Sequence, residues 1–291
     1  MEREYTLGLY EKSMPSDLSW EQKMLSAKEA GFDYIEISID ETDAKLARLD
    51  MSKEERLELV RLMMVTGVPI RSMCLSGHRK YPLGSNDPEV EKRGMEIMEK
   101  AIQLAEDLGI RIIQLAGYDV YYEESSFETK KRFLKNLKKA THMAEKAGVV
   151  LGFETMETEF MNTVEKAMKY TTLVDSPYLN VYPDIGNITN AAIEYKTDVL
   201  EDMMIGKGHL CAMHLKETVP GKFREIPFGT GHVNFKEAID LAWQLGIRKY
   251  VTEFWYVGNE NWKEDLVFAH DMFEKMLDEQ MTGKDEKNVE S

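Results

Sequence analysis

The chain has 291 residues, 43% of them hydrophobic, which is ample for a large core, and it carries 37 basic against 52 acidic residues for a net charge of −15. A balance this acidic excludes a general nucleic-acid binder or a protein held on acidic membranes, since both need a basic face. It leaves room for a small anionic substrate gripped by a local cationic cluster.

A short phrase recurs along the chain: a helix tail, a glycine, then an apolar run. Gly31 precedes FDYIEIS, Gly67 precedes VPIRSMCLS, Gly109 precedes IRIIQLAG, Gly148 precedes VVLGFE and Gly246 precedes IRKYVTEF. Glycine tolerates the positive φ found just past a helix end. The runs after it are too short for helices and too apolar for half-exposed strands, so they suit a parallel sheet covered on both faces. In chain order the expected strands are Thr6–Tyr10, Tyr34–Ser38, Ile70–Ser76, Ile110–Ala116, Val149–Glu154, Asn180–Asp184, Leu210–His214 and Tyr250–Glu253. Helices fill the gaps. Ser19 with Gln22, Ser52 with Glu55, Ser125 with Glu128 and Asn234 with Glu237 have capping-box spacing. Asp87-Pro88 reads as a cap followed by proline at the first helical position.

Eight β–α units with no Pro-, Gly- or Ser-rich linker predict one (β/α)8 TIM barrel over residues 1–281, rather than a doubly wound sheet of five or six strands. The tail 282–291 is polar and is expected to be disordered. Cys74 and Cys211 lie in apolar runs and read as buried thiols. No apolar run reaches the roughly 20 residues of a membrane span, and the N-terminus does not resemble a signal peptide. The expected compartment is a reducing cytoplasm, with no membrane or nucleic-acid partner.

In such a barrel the C-terminal strand ends converge on one face. The fifth strand ends at Glu154, the sixth at Asp184, the seventh at His214, and the eighth reaches Glu253. Any one of these alone would usually be a surface residue or an ion-pair partner. Four on successive strands predict a shared site. Three crowded carboxylates repel strongly without a cation. The mixed O/N donor set suits a divalent metal, Mn²⁺, Mg²⁺ or Co²⁺, and permits Zn²⁺; no organic cofactor is expected. Glu154 and Glu253 can also serve as base and acid on opposite faces of one carbon, which inverts that carbon without redox chemistry.

Cations for an anionic group lie in two loops. His78, Arg79 and Lys80 follow the third strand; Lys216, Lys222 and Arg224 follow the seventh. Loops after strands seven and eight often hold phosphate in this fold. Tyr10, Tyr118, Trp255 and Tyr256 lie near strand ends and are candidate pocket walls.

The segments SMCLSGHRKYPLGS (72–85), GIRIIQLAGYDVYY (109–122), YPDIGN (182–187), MHLKETVPGKF (213–223) and PFGTGHVNF (227–235) resemble the xylose-isomerase-like barrels, a family of ketose 3-epimerases and an endonuclease. The likeness extends over nearly the whole chain. It implies metal ligation by Glu154, Asp184, His214 and Glu253, with the two Glu as acid/base pair. Epimerases of free ketoses tend to have His three residues after the metal-binding Asp. Asn187 stands there, which matches the branch acting on L-ribulose 5-phosphate and L-xylulose 5-phosphate in bacterial L-ascorbate utilisation. That branch implies substrate or phosphate contacts from His78, Lys80, Asn187, Lys216 and Arg224, and a homodimer. A free-ketose epimerase or a sugar-phosphate isomerase keeps the metal and changes the pocket. An endonuclease would need more His than the 6 present and a basic groove. A non-catalytic sugar-binding barrel would not need two Glu across one metal.

Overall fold

The computed structural model describes residues 3–288, the side chains of 283–288 excepted. Eight parallel strands, β1 Thr6–Tyr10, β2 Tyr34–Ile39, β3 Ile70–Leu75, β4 Ile112–Ala116, β5 Val150–Glu154, β6 Leu179–Tyr182, β7 Met213–Leu215 and β8 Lys249–Thr252, run in sequence order around a barrel. The seam between β6 and β7 closes through the isolated parallel bridges Val181–Leu210 and Asp184–His214. The run from Leu210 to Ala212, expected as strand, contributes only one of these bridges, so β7 is short.

Helices cover the outside: α1 Trp20–Glu29, α2 Asp43–Leu46, α3 Lys53–Thr66, α4 Pro88–Leu108, α5 Phe127–Ala147, α6 Val164–Val174, α7 Ile185–Tyr195, α8 Val199–Ile205, α9 Phe235–Gln244 and α10 Trp262–Asn288. Among the described residues no helix is long and apolar enough to cross a membrane. The polar tail expected from residue 282 begins inside α10, and 289–291 lie outside the described residues. The five glycines of the repeated phrase all take positive φ, between 65° and 97°. Capping boxes form at Ser19 and Ser52, Asp87 caps the helix that starts at Pro88, and Asn234 accepts from the Glu237 backbone. The box expected at Ser125 forms one residue later, between Ser126 and Thr129. The Ser125 hydroxyl is engaged instead by Asp119, 2.7 Å away.

The main core lies between strands and helices. A second apolar cluster, including Tyr34, Cys74, Ile112, Tyr182, Ala212 and Val251, packs separately from it. Two glycines make room for its large rings. A Cβ on Gly8 would stand 2.4 Å from the Tyr34 ring, and one on Gly152 would stand 2.7 Å from Cys211 Sγ and 3.1 Å from Tyr182 Cβ. Both cysteines are unpaired, Cys74 buried and Cys211 half-buried.

One buried carboxylate fastens the first strand's loop to the second strand. Glu11 is 1% exposed, accepts from the Ser38 backbone at 2.8 Å, and pairs with Lys23, Lys45 and Arg48. Burial alone would raise its pKa; the three cations outweigh burial and pull it from the ordinary 4.5 to about 2. A folded-state pKa held below the unfolded value stabilises the fold above the unfolded pKa, and that stability fades as pH falls toward the folded one. Glu11→Gln should therefore cost about 3–5 kcal/mol at neutral pH, because it strands buried cations. The gap between the thermal unfolding of variant and parent should narrow as pH drops from about 5 to about 2. A constant gap across that window would show that the charge of Glu11 is not what holds the loop.

Candidate metal centre and substrate cavity

The last four strands deliver their polar groups to one point, as the strand ends predict. Glu154 closes β5, Asp184 follows β6 as the cap of α7, His214 lies in the middle of β7, and Glu253 follows β8. All four are buried, and one donor atom from each lies within 4.8 Å of every other. His214 Nδ1 is 3.3 Å from Glu154 Oε1, 3.2 Å from Glu253 Oε2 and 3.9 Å from Asp184 Oδ2.

In three of the four residues, the atom not facing this point is held by the scaffold. Asp184 Oδ1 accepts from the Asn187 backbone at 2.8 Å, a helix N-cap contact that leaves Oδ2 free to point inward. Glu154 Oε2 accepts from the side-chain amide of Gln114, on β4. His214 Nε2 lies 2.6 Å from Glu36 Oε1, on β2, and Glu36 Oε2 accepts from Tyr182 Oη at 3.1 Å. A carboxylate on one imidazole nitrogen puts the proton there and presents the other nitrogen as a lone-pair donor. Asp184 Oδ2 and Glu253 Oε2 are buried without a well-aligned hydrogen bond. Lys216 Nζ balances them electrostatically, 2.6 and 3.4 Å away. Buried acceptors aimed at one point, with the opposite side of their groups already satisfied, fit a divalent cation bound by O and N donors.

The two glutamates differ. Burial and the charge of Glu253 push the Glu154 carboxyl up. Burial would also push Glu253 up, but Lys216 and His214 outweigh it and hold that carboxyl well below the ordinary range. Burial and the neighbouring acids raise Asp184 despite Lys216. His214 is raised well above the ordinary imidazole value; burial opposes this, and Glu36 and Glu253 override it.

A cavity opens above the cluster. Glu154, Glu253 and Lys216 form its floor, with Tyr10, Cys74, Trp255, Lys12, Arg79, Glu157 and Arg224 around it. The structure thus brings in Tyr10, Trp255 and Arg224 from the residues expected in the pocket, and Arg79 from the third loop. It turns other expected residues away. His78 is buried, its Nε2 held 3.0 Å from Gly94 O, and lines no part of the cavity. Lys80 is exposed and pairs with Asp43. Asn187 lies beneath Asp184, donating from Nδ2 to Thr155 O at 2.6 Å. Lys216 does line the cavity, at its floor, where Asp184 and Glu253 engage its charge. Tyr118 stands behind Arg79, its hydroxyl accepting from that guanidinium at 3.1 Å. Lys222 and Tyr256 are not among the lining residues.

Sequence reasoning missed Glu36, Gln114, Lys12 and Glu157. Glu36 and Gln114 occupy alternate positions of apolar strands, the one available signal. Glu157 draws the two guanidinium groups together, 2.8 Å from Arg224 and 3.7 Å from Arg79.

A family model described as the xylose isomerase-like TIM barrel matches residues 25–272. L-ribulose-5-phosphate 3-epimerase UlaE of Salmonella paratyphi A is 44% identical over 272 residues, 93% of this chain and 94% of that protein. UlaE of Escherichia coli O17:K52:H18 matches equally. Among solved structures, a D-tagatose 3-epimerase-like protein superposes with a TM-score of 0.78 at 18% identity, covering 96% of this chain and 99% of that one, a likeness of fold.

The Glu36 contact generates a test that does not need turnover. Glu36→Gln keeps the shape of the side chain and removes the charge that orients His214. The affinity for Mn²⁺ or Co²⁺, followed by calorimetric titration, should fall by roughly 10–100-fold. Unchanged affinity in a variant that melts like the parent would show that Glu36 has no part in presenting the imidazole.

Proposed function

We propose, from the premise that the chain belongs to the xylose isomerase-like TIM barrel family, that it is a metal-dependent 3-epimerase interconverting L-ribulose 5-phosphate and L-xylulose 5-phosphate. The observation that carries this reading is the meeting of two glutamates at one imidazole nitrogen, on the floor of a cavity whose mouth holds two guanidinium groups. The UlaE relatives match over nearly their whole length. L-ascorbate utilisation in a reducing cytoplasm is the setting that accompanies it.

Glu154, Asp184, His214 and Glu253 would hold a divalent cation, which would supply the Lewis acidity that polarises a C2 carbonyl and acidifies the C3 hydrogen beside it. Glu154 and Glu253 reach the cavity from strands three positions apart around the barrel, so they address C3 from different sides. One takes the proton from C3; the other returns a proton to the far face, and the centre inverts. Lys216 holds charge against Asp184 and Glu253 while the proton moves. Tyr10 and Trp255, with ring centroids 6.1 Å apart, wall the sugar and limit water around it. At the mouth, Arg79 and Arg224 take the phosphate; Glu157 keeps the two cations together until it arrives. Lys12, paired with Asp40 at 2.5 Å, adds a third positive charge near that edge.

Two outcomes follow. Turnover of the sugar phosphate in heavy water should place solvent deuterium at C3 of the product, and chelation of the metal should stop it. Wild-type inversion with C3 hydrogen fully retained would exclude proton exchange between two carboxylates. Charge reversal at Arg224 (Arg224→Glu) should raise KM for the phosphorylated sugar about tenfold or more, since a charge-assisted contact contributes roughly 1.5–3 kcal/mol. The unphosphorylated ketose should be affected far less. Equal effects on both substrates would place the phosphate elsewhere.

A further inference from the structure

The opposite mouth of the barrel holds a second cavity, of about 330 Å³. It shares no lining residue with the cavity over the glutamates. We infer that it is a binding site for a small organic anion, with an apolar body seated inside the barrel and a carboxylate or phosphate head at the rim.

Charge is the first observation. Arg71 in β3, Arg111 just before β4 and Lys249 at the start of β8 all line this cavity, and among the described residues no Asp or Glu does. All three side chains are exposed, and none makes a hydrogen bond or an ion pair among the described residues. In a chain with 52 acidic residues against 37 basic ones, most well-placed cations find a carboxylate. Three around one opening, without a partner among the described residues, make a local positive field that a small anion would neutralise.

The interior is the second observation. Ser72 also lines the cavity; it is 3% exposed, and its hydroxyl has no hydrogen-bond partner. A buried hydroxyl left unpaired is costly and uncommon, and a ligand atom entering from the rim would satisfy it. Beyond Ser72 and the half-buried Thr6, the side chains of the inner wall are apolar or already paired. Ile112 and Ala212 offer carbon, and the Tyr34 and Tyr182 hydroxyls are spent on Tyr250 O and Glu36. An uncharged sugar would find too few free polar partners there. A compact apolar body with one anionic head matches both ends, and the volume is at the lower limit of ordinary ligand pockets.

The test titrates the metal-loaded full chain with phenyl phosphate, benzoate and the neutral isostere benzyl alcohol, followed by saturation-transfer NMR and calorimetry. Either or both anions should bind, at least tenfold more tightly than benzyl alcohol; the tighter of the two identifies the head group. The double variant Arg111→Glu/Lys249→Glu, at exposed positions, should weaken anion binding tenfold or more while epimerase activity persists. Arg224→Glu should leave binding unchanged. The inference is overturned if neither anion binds up to roughly 10 mM, if benzyl alcohol binds as well as the anions, if the double variant binds normally, or if Arg224→Glu alone abolishes binding, which would assign the anion to the catalytic cavity.

Discussion

Three carboxylates brought within a few ångströms of one another in a dry interior repel, and everything at the C-terminal mouth of this barrel answers that repulsion. Glu154, Asp184 and Glu253 are each buried, and Glu36 adds a fourth buried acid one layer below. Only His214 and Lys216 oppose them within the cluster. Even if both are charged, acid remains in excess, and a divalent cation would meet both the charge and the open acceptor atoms. The folded chain tolerates the arrangement because three of the four groups are tied from behind. A helix start holds Asp184, an amide holds Glu154, a carboxylate holds His214, and the strands hold the backbone of all four.

The same constraint separates the two glutamates chemically. Glu154 is backed by the neutral Gln114 and feels Glu253 as a repelling neighbour, so it favours its proton. Glu253 has Lys216 3.4 Å away and favours ionisation. Residues of one type in one small site are thus driven toward opposite protonation states by their neighbours. A divalent cation bound among them would favour the ionised form of both.

The strand ends were legible in the sequence because glycine, the apolar run and the terminal polar residue recur at regular spacing. Five of the eight expected strands follow such a glycine, and once eight strands are counted, Glu154, Asp184, His214 and Glu253 must share a face. The supporting layer was not legible. Glu36 lies 178 residues from His214, and within YIEIS it looks like one polar residue in a buried strand. Nothing local says which of the barrel's other strands it faces. The loop cations failed for a related reason. HRK is three adjacent basic residues in sequence, but a short 3-10 turn over Gly77–Arg79 sends them in three directions. His78 goes inward beneath α4, Arg79 to the cavity and Lys80 to solvent. The cap at Ser126 shows the same limit at smaller scale, where a partner in the preceding loop decided between two neighbouring serines.

Barrel interiors of this fold are ordinarily filled by layers of branched apolar side chains. Here the upper interior is polar: Glu36, Ser38, Gln114 and His214 occupy positions where Val or Ile would pack. Such a layer holds only if its polar groups find partners, and the large tyrosines supply them. Tyr182 reaches Glu36, Tyr10 reaches Ser38 at 3.3 Å, and Tyr34 closes on the β8 backbone at 3.0 Å. Rings that large fit only because β1 and β5 present Gly8 and Gly152 beside them. The glycines therefore support the carboxylate–imidazole cluster at one remove. They admit the tyrosines, the tyrosines satisfy the buried acids, and the acids aim the imidazole. Below that layer the interior is mostly carbon, with the buried Ser72 hydroxyl left without a partner, and the opposite mouth follows a different chemistry.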